Sequence, residues 1–251
     1  MAIPTAPPSS VLITGGSGVI GRAICVEFGR AGWNVGVHYR TRREEAERTA
    51  RLVVEAGGRA SCVPADIREA KQTRAMVESF LSQWGRLDVL ICNAGQASGN
   101  LLLKTSQEQW KAAIETNLTG TFHCLRAAGP VMVGQGGGSV LVVASLSALQ
   151  GTTGQAAYAA AKAGLIGLVK SAAREWGADN IRVNAVCPGW HQTDVSGNAI
   201  PDDRAITDRL SVHEHVLGRF AGLESVARSV MHLALLPDVS GQVWNLDSRI
   251  L

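Results

Sequence analysis

The sequence predicts a doubly wound α/β fold, in which one sheet of about seven mainly parallel strands carries helices on both faces. Short runs rich in β-branched residues alternate along the chain with longer segments whose apolar residues recur at helical spacing. Several of the short runs are apolar at consecutive positions, as in Val89-Leu90-Ile91. Such runs are typical of parallel strands that are covered on both faces.

The predicted elements alternate strictly from one end of the chain to the other. Strands are predicted at 11–14, 34–39, 60–64, 87–92, 139–144, 181–187 and 242–246. Helices are predicted at 20–31, 43–56, 69–84, 107–133, 155–177 and 223–235, and the fourth of them, the longest, is a candidate for an interruption. This alternation implies right-handed crossovers between parallel strands.

Length and composition are those of one globular domain. The 251 residues are 46% hydrophobic and 18% charged, so the chain can bury a sizeable core. We expect a flexible leader at 1–9 and a single domain over 10–251. The segment 190–222 is rich in Asp, His and Gly and has no clear period, which predicts a functional loop, here a substrate loop.

Charge and cysteine content exclude several classes of partner and compartment. The formal net charge of +3 is small for this length, so nucleic acid and membrane surfaces have little support as partners. The five cysteines include no CxxC pair, which is typical of free thiols in a reducing compartment. The first ten residues lack the basic and apolar regions of a secretory signal. We expect a cytoplasmic protein.

A glycine-rich sequence, TGGSGVIG at 14–21, follows the first predicted strand and opens the first predicted helix. Glycines there let backbone N–H groups approach a pyrophosphate, and the helix N-terminus favours its negative charge. This placement predicts a Rossmann-like dinucleotide site. Its candidate residues are Gly15, Gly16, Ser17, Gly18, Ile20 and Gly21.

The end of the second predicted strand indicates which dinucleotide is bound. NAD-specific sites usually place an acidic residue here for the ribose hydroxyls, whereas this chain has Arg40. A guanidinium pairs well with a 2′-phosphate, so we predict NADP(H). The alternative is that Arg40, Arg42 and Arg43 only form a solvated helix start.

Tyr158 and Lys162 are the candidate catalytic pair. Their i, i+4 spacing in a predicted helix places a phenol and an ammonium on the same face, one turn apart. An isolated tyrosine has a pKa of about 10, and a nearby cation lowers it toward the range that proton exchange with an alcohol needs. Ser145, at the end of the fifth predicted strand, could hydrogen-bond a substrate carbonyl.

Together these motifs resemble the single-domain branch of the short-chain dehydrogenases/reductases, and within it most closely the 3-oxoacyl-[acyl-carrier-protein] reductases of fatty acid biosynthesis. The resemblance covers nearly all of 9–246. It is carried by the glycine-rich turn, Asp66-Ile67, Asn93-Ala94-Gly95, Asn117, Ser145, Tyr158, Lys162, Pro188-Gly189 and Thr193.

The resemblance implies a role for each of these residues. Tyr158 would be the general acid, Ser145 would orient the substrate oxygen, and Lys162 would bind the nicotinamide ribose and lower the pKa of Tyr158. Asn117 would hold a water linked to Lys162. The remaining cofactor contacts would come from Asp66 and Ile67 at the adenine, Asn93, Ala94 and Gly95 at the adenosine ribose, and Pro188, Gly189 and Thr193 near the nicotinamide.

The resemblance also implies assembly and partners. The expected state is a homotetramer built partly through the helices that contain Asn117 and Tyr158. The expected substrate is a 3-oxoacyl thioester, free or on an acyl carrier protein that Arg174 would contact. Arg174 can equally be an ordinary helix-surface residue.

Three features depart from the family pattern. Val19 stands where the loop usually has a glycine, with Gly18 one place earlier. Residues 134–138 carry no positive charge where the acyl-carrier-protein reductases tend to have basic residues, and residues 244–249 replace the glycine pair that many relatives have near the C-terminus. Two alternatives therefore stay open: the same chemistry on a sugar, polyol, steroid or quinone, and a non-catalytic dinucleotide-binding sensor or scaffold. His213-Glu214-His215 lacks the helical spacing of a zinc motif, so no metal site is predicted.

Overall fold

The chain folds around one parallel sheet. The computed structural model describes residues 9–97, 99–189 and 214–250. The strands are β1 Ser10–Ile13, β2 Asn34–Tyr39, β3 Arg59–Pro64, β4 Val89–Cys92, β5 Gly138–Val143, β6 Ile181–Cys187 and β7 Val243–Asn245. The α-helices are α1 Val19–Arg30, α2 Arg43–Glu55, α3 Ala70–Trp84, α4 Gln107–Ile114, α5 Gly120–Gly134, α6 Ser147–Gln150, α7 Ala156–Trp176 and α8 Leu223–Leu235.

The strand order is β3-β2-β1-β4-β5-β6-β7, and every neighbouring pair is parallel. The doubly wound fold is therefore confirmed. Each predicted strand and helix is present, and the observed ends differ from the predicted ones by at most two residues. Between β1 and β4 the direction of winding reverses, and a crevice opens there outside the carboxyl ends of the strands.

The sheet has a hydrophobic core on each face. Leu12 and Leu90 belong to the core that packs against α3, α5 and α7. Their neighbours Ile13 and Ile91 belong to the core under α1, α2 and α8. Successive side chains of a strand point to opposite faces, so both faces are apolar and the strands read as continuous apolar runs.

The predicted helix at 107–133 is interrupted once. It begins as α4, passes through one π-helical segment at Glu115–Thr119 and continues as α5. Ser106 caps its start, since its hydroxyl accepts a hydrogen bond from the Gln109 amide at 3.2 Å. π-Helical segments are often found at functional sites, and this one contains the buried Asn117.

The sequence did not predict α6 or two short 3₁₀ segments at Leu102–Lys104 and Gly177–Asp179. The predicted leader lies almost wholly outside the described residues, as does the predicted loop up to residue 213. Among the helices that the structure describes, none combines the length and the apolar character that crossing a membrane would require.

Alanine substitutions at Gly36 in β2 and at Gly134 in α5 test how tightly the core beneath β2 is packed. A Cβ at Gly36 would lie 2.6 Å from Cδ2 of Phe80 and 2.8 Å from Cδ1 of Leu12, both fully buried. We expect Gly36→Ala to lower the free energy of unfolding by about 1–3 kcal/mol through overpacking. Gly134→Ala is the control, because nothing lies within 4 Å of its added Cβ and it should leave the protein as stable or slightly more stable. Urea denaturation measures both, and equal stabilities would contradict the prediction.

Candidate active site

One cleft of about 580 Å³ lies at the carboxyl ends of the central strands. Most of the sequence-predicted site residues line it. They are Gly15, Ser17, Gly18, Ile20, Gly21, Arg40, Asp66, Ile67, Asn93, Ala94, Gly95, Ser145, Tyr158, Lys162, Pro188 and Gly189. Gly16 and Asn117 lie behind this wall, and Thr193 lies outside the described residues.

The glycine-rich turn is shaped by close backbone packing. Gly15 has φ +69°, and a Cβ there would lie 2.9 Å from the Ala94 Cα. A Cβ at Gly21 would lie 2.2 Å from the Gly15 carbonyl oxygen. Gly16 packs against Val37, 2.8 Å from where its Cβ would stand. Side chains at these three positions would displace the loop, so the glycines are required sterically.

The unusual Gly18-Val19 spacing is accommodated at the start of α1. Gly18 is the N-cap with an ordinary φ of −89°, and no side chain caps the helix. Val19 is the first helical residue and lines the cleft. The first N–H groups of a helix have no partner within it, so the α1 N-terminus presents donors and the positive end of the helix dipole to the cleft.

Asn93 connects β4 to the glycine-rich turn. Its Nδ2 donates to the carbonyl oxygens of Thr14 at 3.0 Å and Gly15 at 3.3 Å. The Thr14 hydroxyl in turn accepts from the backbone N–H groups of Asn93 at 2.9 Å and Ala94 at 3.0 Å. The Asn93 side chain therefore supports the loop, while the backbone of 93–95 forms the cleft wall.

Two arginines, Arg40 and Arg42, line the outer end of the cleft and are exposed. Arg42 Nη2 lies 3.7 Å from where a Cβ at Gly18 would stand. Arg43 does not line the cleft and donates to Glu47 at 2.8 Å. Of the three basic residues that the sequence offered, the fold therefore turns two toward the site.

Asp66 lies at the same end of the cleft. Its carboxylate accepts two hydrogen bonds from Nε of Arg68, at 2.9 and 3.0 Å. The Arg68 hydrogen bonds hold the pKa of Asp66 below its ordinary value. Asp66 is thus a fixed anion and an acceptor for a donor on a bound ring.

Ser145, Tyr158 and Lys162 converge at the inner end of the cleft. Lys162 is 4% exposed, and its ammonium donates to the Val143 carbonyl at 2.7 Å. It lies 5.7 Å from the centre of the Tyr158 ring. The Ser145 hydroxyl oxygen accepts from the Ser147 amide at 3.2 Å.

The pKa values at this end follow from burial. Burial raises the pKa of Tyr158, and a hydrogen bond with Ser145 opposes the shift. Burial also lowers the pKa of Lys162 to about 8. Desolvation of the phenolate is the largest influence on the pKa of Tyr158, and the expectation that Lys162 lowers this pKa stays a prediction. Tyr158 carries its proton at neutral pH.

Asn117 lies directly behind Lys162. Its Nδ2 donates to the carbonyls of Ala113 and Gln96, both at 3.0 Å, and its Oδ1 accepts from the Gln96 amide at 3.1 Å. A Cβ at Gly95 would lie 2.7 Å from Asn117 Oδ1 and 3.4 Å from Lys162 Nζ. The π-helical turn thus brings Asn117 next to Lys162, and the water relay stays a prediction.

The atypical C-terminal segment supports the inner rim of the cleft. Gly189 has φ +79°, and a Cβ there would lie 2.3 Å from Asp247 Oδ2. Asp247 is buried, and Nε of Arg249 donates to it at 2.8 Å. His215 Nε2 lies 3.7 Å from the same carboxylate. Residues far apart in the chain therefore pack against the Pro188-Gly189 turn.

Sequence reasoning missed several residues of the cleft wall. They include His38, Thr41, Arg42 and Thr116. His38 has the most specific contacts, since its ring accepts from the Gly15 amide at 2.9 Å. Its one signal in the sequence is a polar residue inside an apolar strand.

Comparisons with known proteins agree with this geometry. Residues 16–248 match a family model described as enoyl-(acyl carrier protein) reductase. The chain is 37% identical over 228 residues to the 3-oxoacyl-[acyl-carrier-protein] reductase FabG of Staphylococcus aureus, which covers 90% of both chains. It is 34% identical over 245 residues to the 3-oxoacyl-[acyl-carrier-protein] reductase of Synechocystis, covering 96% of both.

Solved structures give the same relationship. A protein assigned as a short-chain alcohol dehydrogenase from Sinorhizobium meliloti superposes with a TM-score of 0.89 at 29% identity, over 97% of this chain and 96% of that one. A protein assigned as a short-chain dehydrogenase/reductase from Burkholderia xenovorans gives 0.88 at 29% identity, over 96% and 95%. The chain therefore belongs to the short-chain dehydrogenase/reductase family of nicotinamide-dependent oxidoreductases.

Proposed function

We propose that this protein is an NADPH-dependent reductase that converts the ketone of a 3-oxoacyl thioester to a secondary alcohol. The observation that carries the proposal is the convergence of Ser145, Tyr158 and Lys162 at one end of a cleft whose other end holds a glycine-rich turn and two arginines. The similarity to 3-oxoacyl-[acyl-carrier-protein] reductases supports the substrate class.

The residues present fit a nicotinamide dinucleotide. Gly15 and Gly21 leave a cradle that side chains would fill, and the uncapped N-terminus of α1 faces it, which suits a pyrophosphate. Asp66 and Ile67 would hold the adenine end. Lys162 and the turn at Pro188-Gly189 would hold the nicotinamide end. When bound, the reduced cofactor would supply a hydride to the carbonyl carbon.

Tyr158 is suited to protonate the substrate oxygen. Its raised pKa keeps the proton on the phenol at neutral pH, so a donor is ready before the carbonyl oxygen gains charge. Ser145 hydrogen-bonds with Tyr158 and would orient the same oxygen. The Lys162 ammonium, fixed on the Val143 carbonyl, would then stabilise the phenolate left after proton transfer.

The preference for NADPH rests on Arg40 and Arg42. Both are exposed in the outer cleft, where a 2′-phosphate could accept charge-assisted hydrogen bonds. Arg42 was not predicted from the sequence, and its place beside Gly18 supports a contact that Arg40 alone would not provide.

The homotetrameric state and an acyl carrier protein as partner are also proposals. Trp110 on α4 and Phe122 on α5 are 40% and 42% exposed, which favours burial of these helices against other subunits in a homotetramer. Arg174 is exposed on α7 and is available to an acidic acyl carrier protein. The alternative substrates remain sugars, polyols, steroids and quinones, because most of the predicted substrate loop lies outside the described residues.

Tyr158→Phe tests the mechanism. Because the phenol supplies the proton, we expect kcat to fall at least about 100-fold, while the Kd for NADPH stays within about twofold. Turnover is followed as NADPH oxidation with a panel of ketones that includes acetoacetyl thioesters. Tyr39→Phe is the matched control, since Tyr39 is the only other tyrosine and does not line the cleft. Undiminished turnover in Tyr158→Phe would contradict the mechanism. If the wild type binds NADPH but oxidises it with no ketone of the panel, the result would favour a sensor.

The cofactor preference is tested by reversing charge at the outer cleft. We expect Arg40→Asp and Arg42→Asp each to raise the KM for NADPH about tenfold or more while changing the KM for NADH little, because only NADPH carries the 2′-phosphate. Arg43→Asp is the control, because it makes the same change of charge at a residue that pairs with Glu47 outside the cleft. An unchanged ratio of the two KM values in the first two variants would show that the arginines do not select the cofactor.

The pH profile distinguishes lysine from tyrosine titration. Folding lowers the pKa of Lys162 to about 8 and raises that of Tyr158. As pH rises through about 8 the ammonium loses its proton first, so kcat/KM should fall there while the phenol is still protonated. Lys162→Arg keeps the cation and should move this fall to higher pH. A fall at the same pH in the arginine variant would assign it to another group.

A further inference from the structure

His38 lies in β2, outside the motifs that predicted the dinucleotide site. The imidazole is 2% exposed and borders the cleft. Its Nδ1 accepts a hydrogen bond from the Gly15 amide at 2.9 Å. Its Nε2 lies 3.0 Å from the Ala65 carbonyl oxygen. One buried ring therefore contacts two segments that lie 50 residues apart in the chain.

These two partners determine the state of the ring. The Gly15 amide can only donate, so Nδ1 must carry a lone pair, and the Ala65 carbonyl can only accept, so Nε2 must carry the proton. A charged ring would place a second N–H against the Gly15 amide. In keeping with this, burial lowers the pKa of His38 to about 4. The ring is a neutral Nε2–H tautomer at neutral pH.

The two contacts reach two separate segments of the proposed dinucleotide site. Gly15 is the turn residue of the glycine-rich loop, with φ +69°, and its carbonyl accepts from the Gly18 amide at 3.0 Å. Ala65 directly precedes Asp66 at the adenine end, and both line the cleft. The backbone of His38 adds a third contact, since its carbonyl accepts from the Gly16 amide at 2.9 Å.

We propose that His38 is a positioning residue, a brace between Gly15 and Ala65 that holds the glycine-rich loop in the conformation that binds the dinucleotide. This proposal rests on the proposed function only in naming NADPH as the ligand. Without the ring, the Gly15 amide loses its hydrogen-bond acceptor. The loop then also adopts conformations that do not bind the dinucleotide. Apparent affinity falls in proportion to the fraction of loops that remain competent.

Two substitutions of His38 separate the effects of its contacts with Gly15 and Ala65. Asn places its Oδ1 where His has Nδ1, so His38→Asn keeps an acceptor for Gly15 and gives up the contact with Ala65. His38→Leu gives up both contacts at similar bulk. We expect the Kd and KM for NADPH to rise about tenfold or more in His38→Leu and about threefold in His38→Asn, with kcat at saturating NADPH changed little in either variant.

Val53→Ala is the control for general destabilisation. Val53 is fully buried on α2, so its truncation lowers stability, yet it does not line the cleft. Its KM for NADPH should equal that of the wild type. If His38→Leu binds NADPH as the wild type does, or if Val53→Ala weakens NADPH equally at a matched loss of thermal stability, the brace is refuted.

Two measurements on the ligand-free protein test the brace independently of NADPH. Nitrogen-15 NMR should show His38 as the Nε2–H tautomer with no titration between pH 8 and about 5, because its folded pKa lies lower, at about 4. The Gly15 amide should exchange slowly in the wild type and at least tenfold faster in His38→Leu. An Nδ1–H tautomer or an unprotected Gly15 amide would overturn the proposal. If the wild type binds NADH and no NADPH while both NMR results hold, the NADPH preference in the proposed function fails and the brace stands.

Discussion

The seven strands that the structure describes all run in the same direction, and this constraint determines where the site residues meet. Parallel strands bring their carboxyl ends to one edge of the sheet, and the reversal of winding between β1 and β4 keeps the following loops from closing over that edge. The glycine-rich turn, the backbone of 93–95, Ser145 and the Pro188-Gly189 turn all follow strand ends at this edge. Residues from most of the chain length therefore share one cleft.

Burial is the main electrostatic influence within that cleft. It disfavours the charged form of each group it encloses, and it acts on three residues with different consequences. Tyr158 keeps its proton, Lys162 is brought closer to neutrality, and His38 stays uncharged. In the proposed mechanism, a site of this kind would be prepared to donate a proton in the reductive direction, and the ammonium of Lys162 would stabilise the phenolate left after proton transfer.

Several contacts that shape the site join distant parts of the sequence. Asn117 reaches the backbone of Gln96 from a π-helical turn, and Asp247 supports Gly189 across more than fifty residues. The C-terminal segment that departs from the family pattern supplies this support, with Arg249 holding the carboxylate in place. A departure in sequence thus retains a structural purpose at the rim of the cleft.

Local patterns in the sequence were enough to predict the fold class, seven strands and six helices, the glycine-rich turn and the Tyr158–Lys162 pair. These follow from local periodicity and from spacing within one element. Three findings required the folded chain: Arg42 lines the cleft while Arg43 pairs with Glu47, His38 contacts two separate segments of the site, and burial raises the pKa of Tyr158. Those outcomes depend on burial and on contacts between residues far apart in the chain, and neither can be read from neighbouring letters.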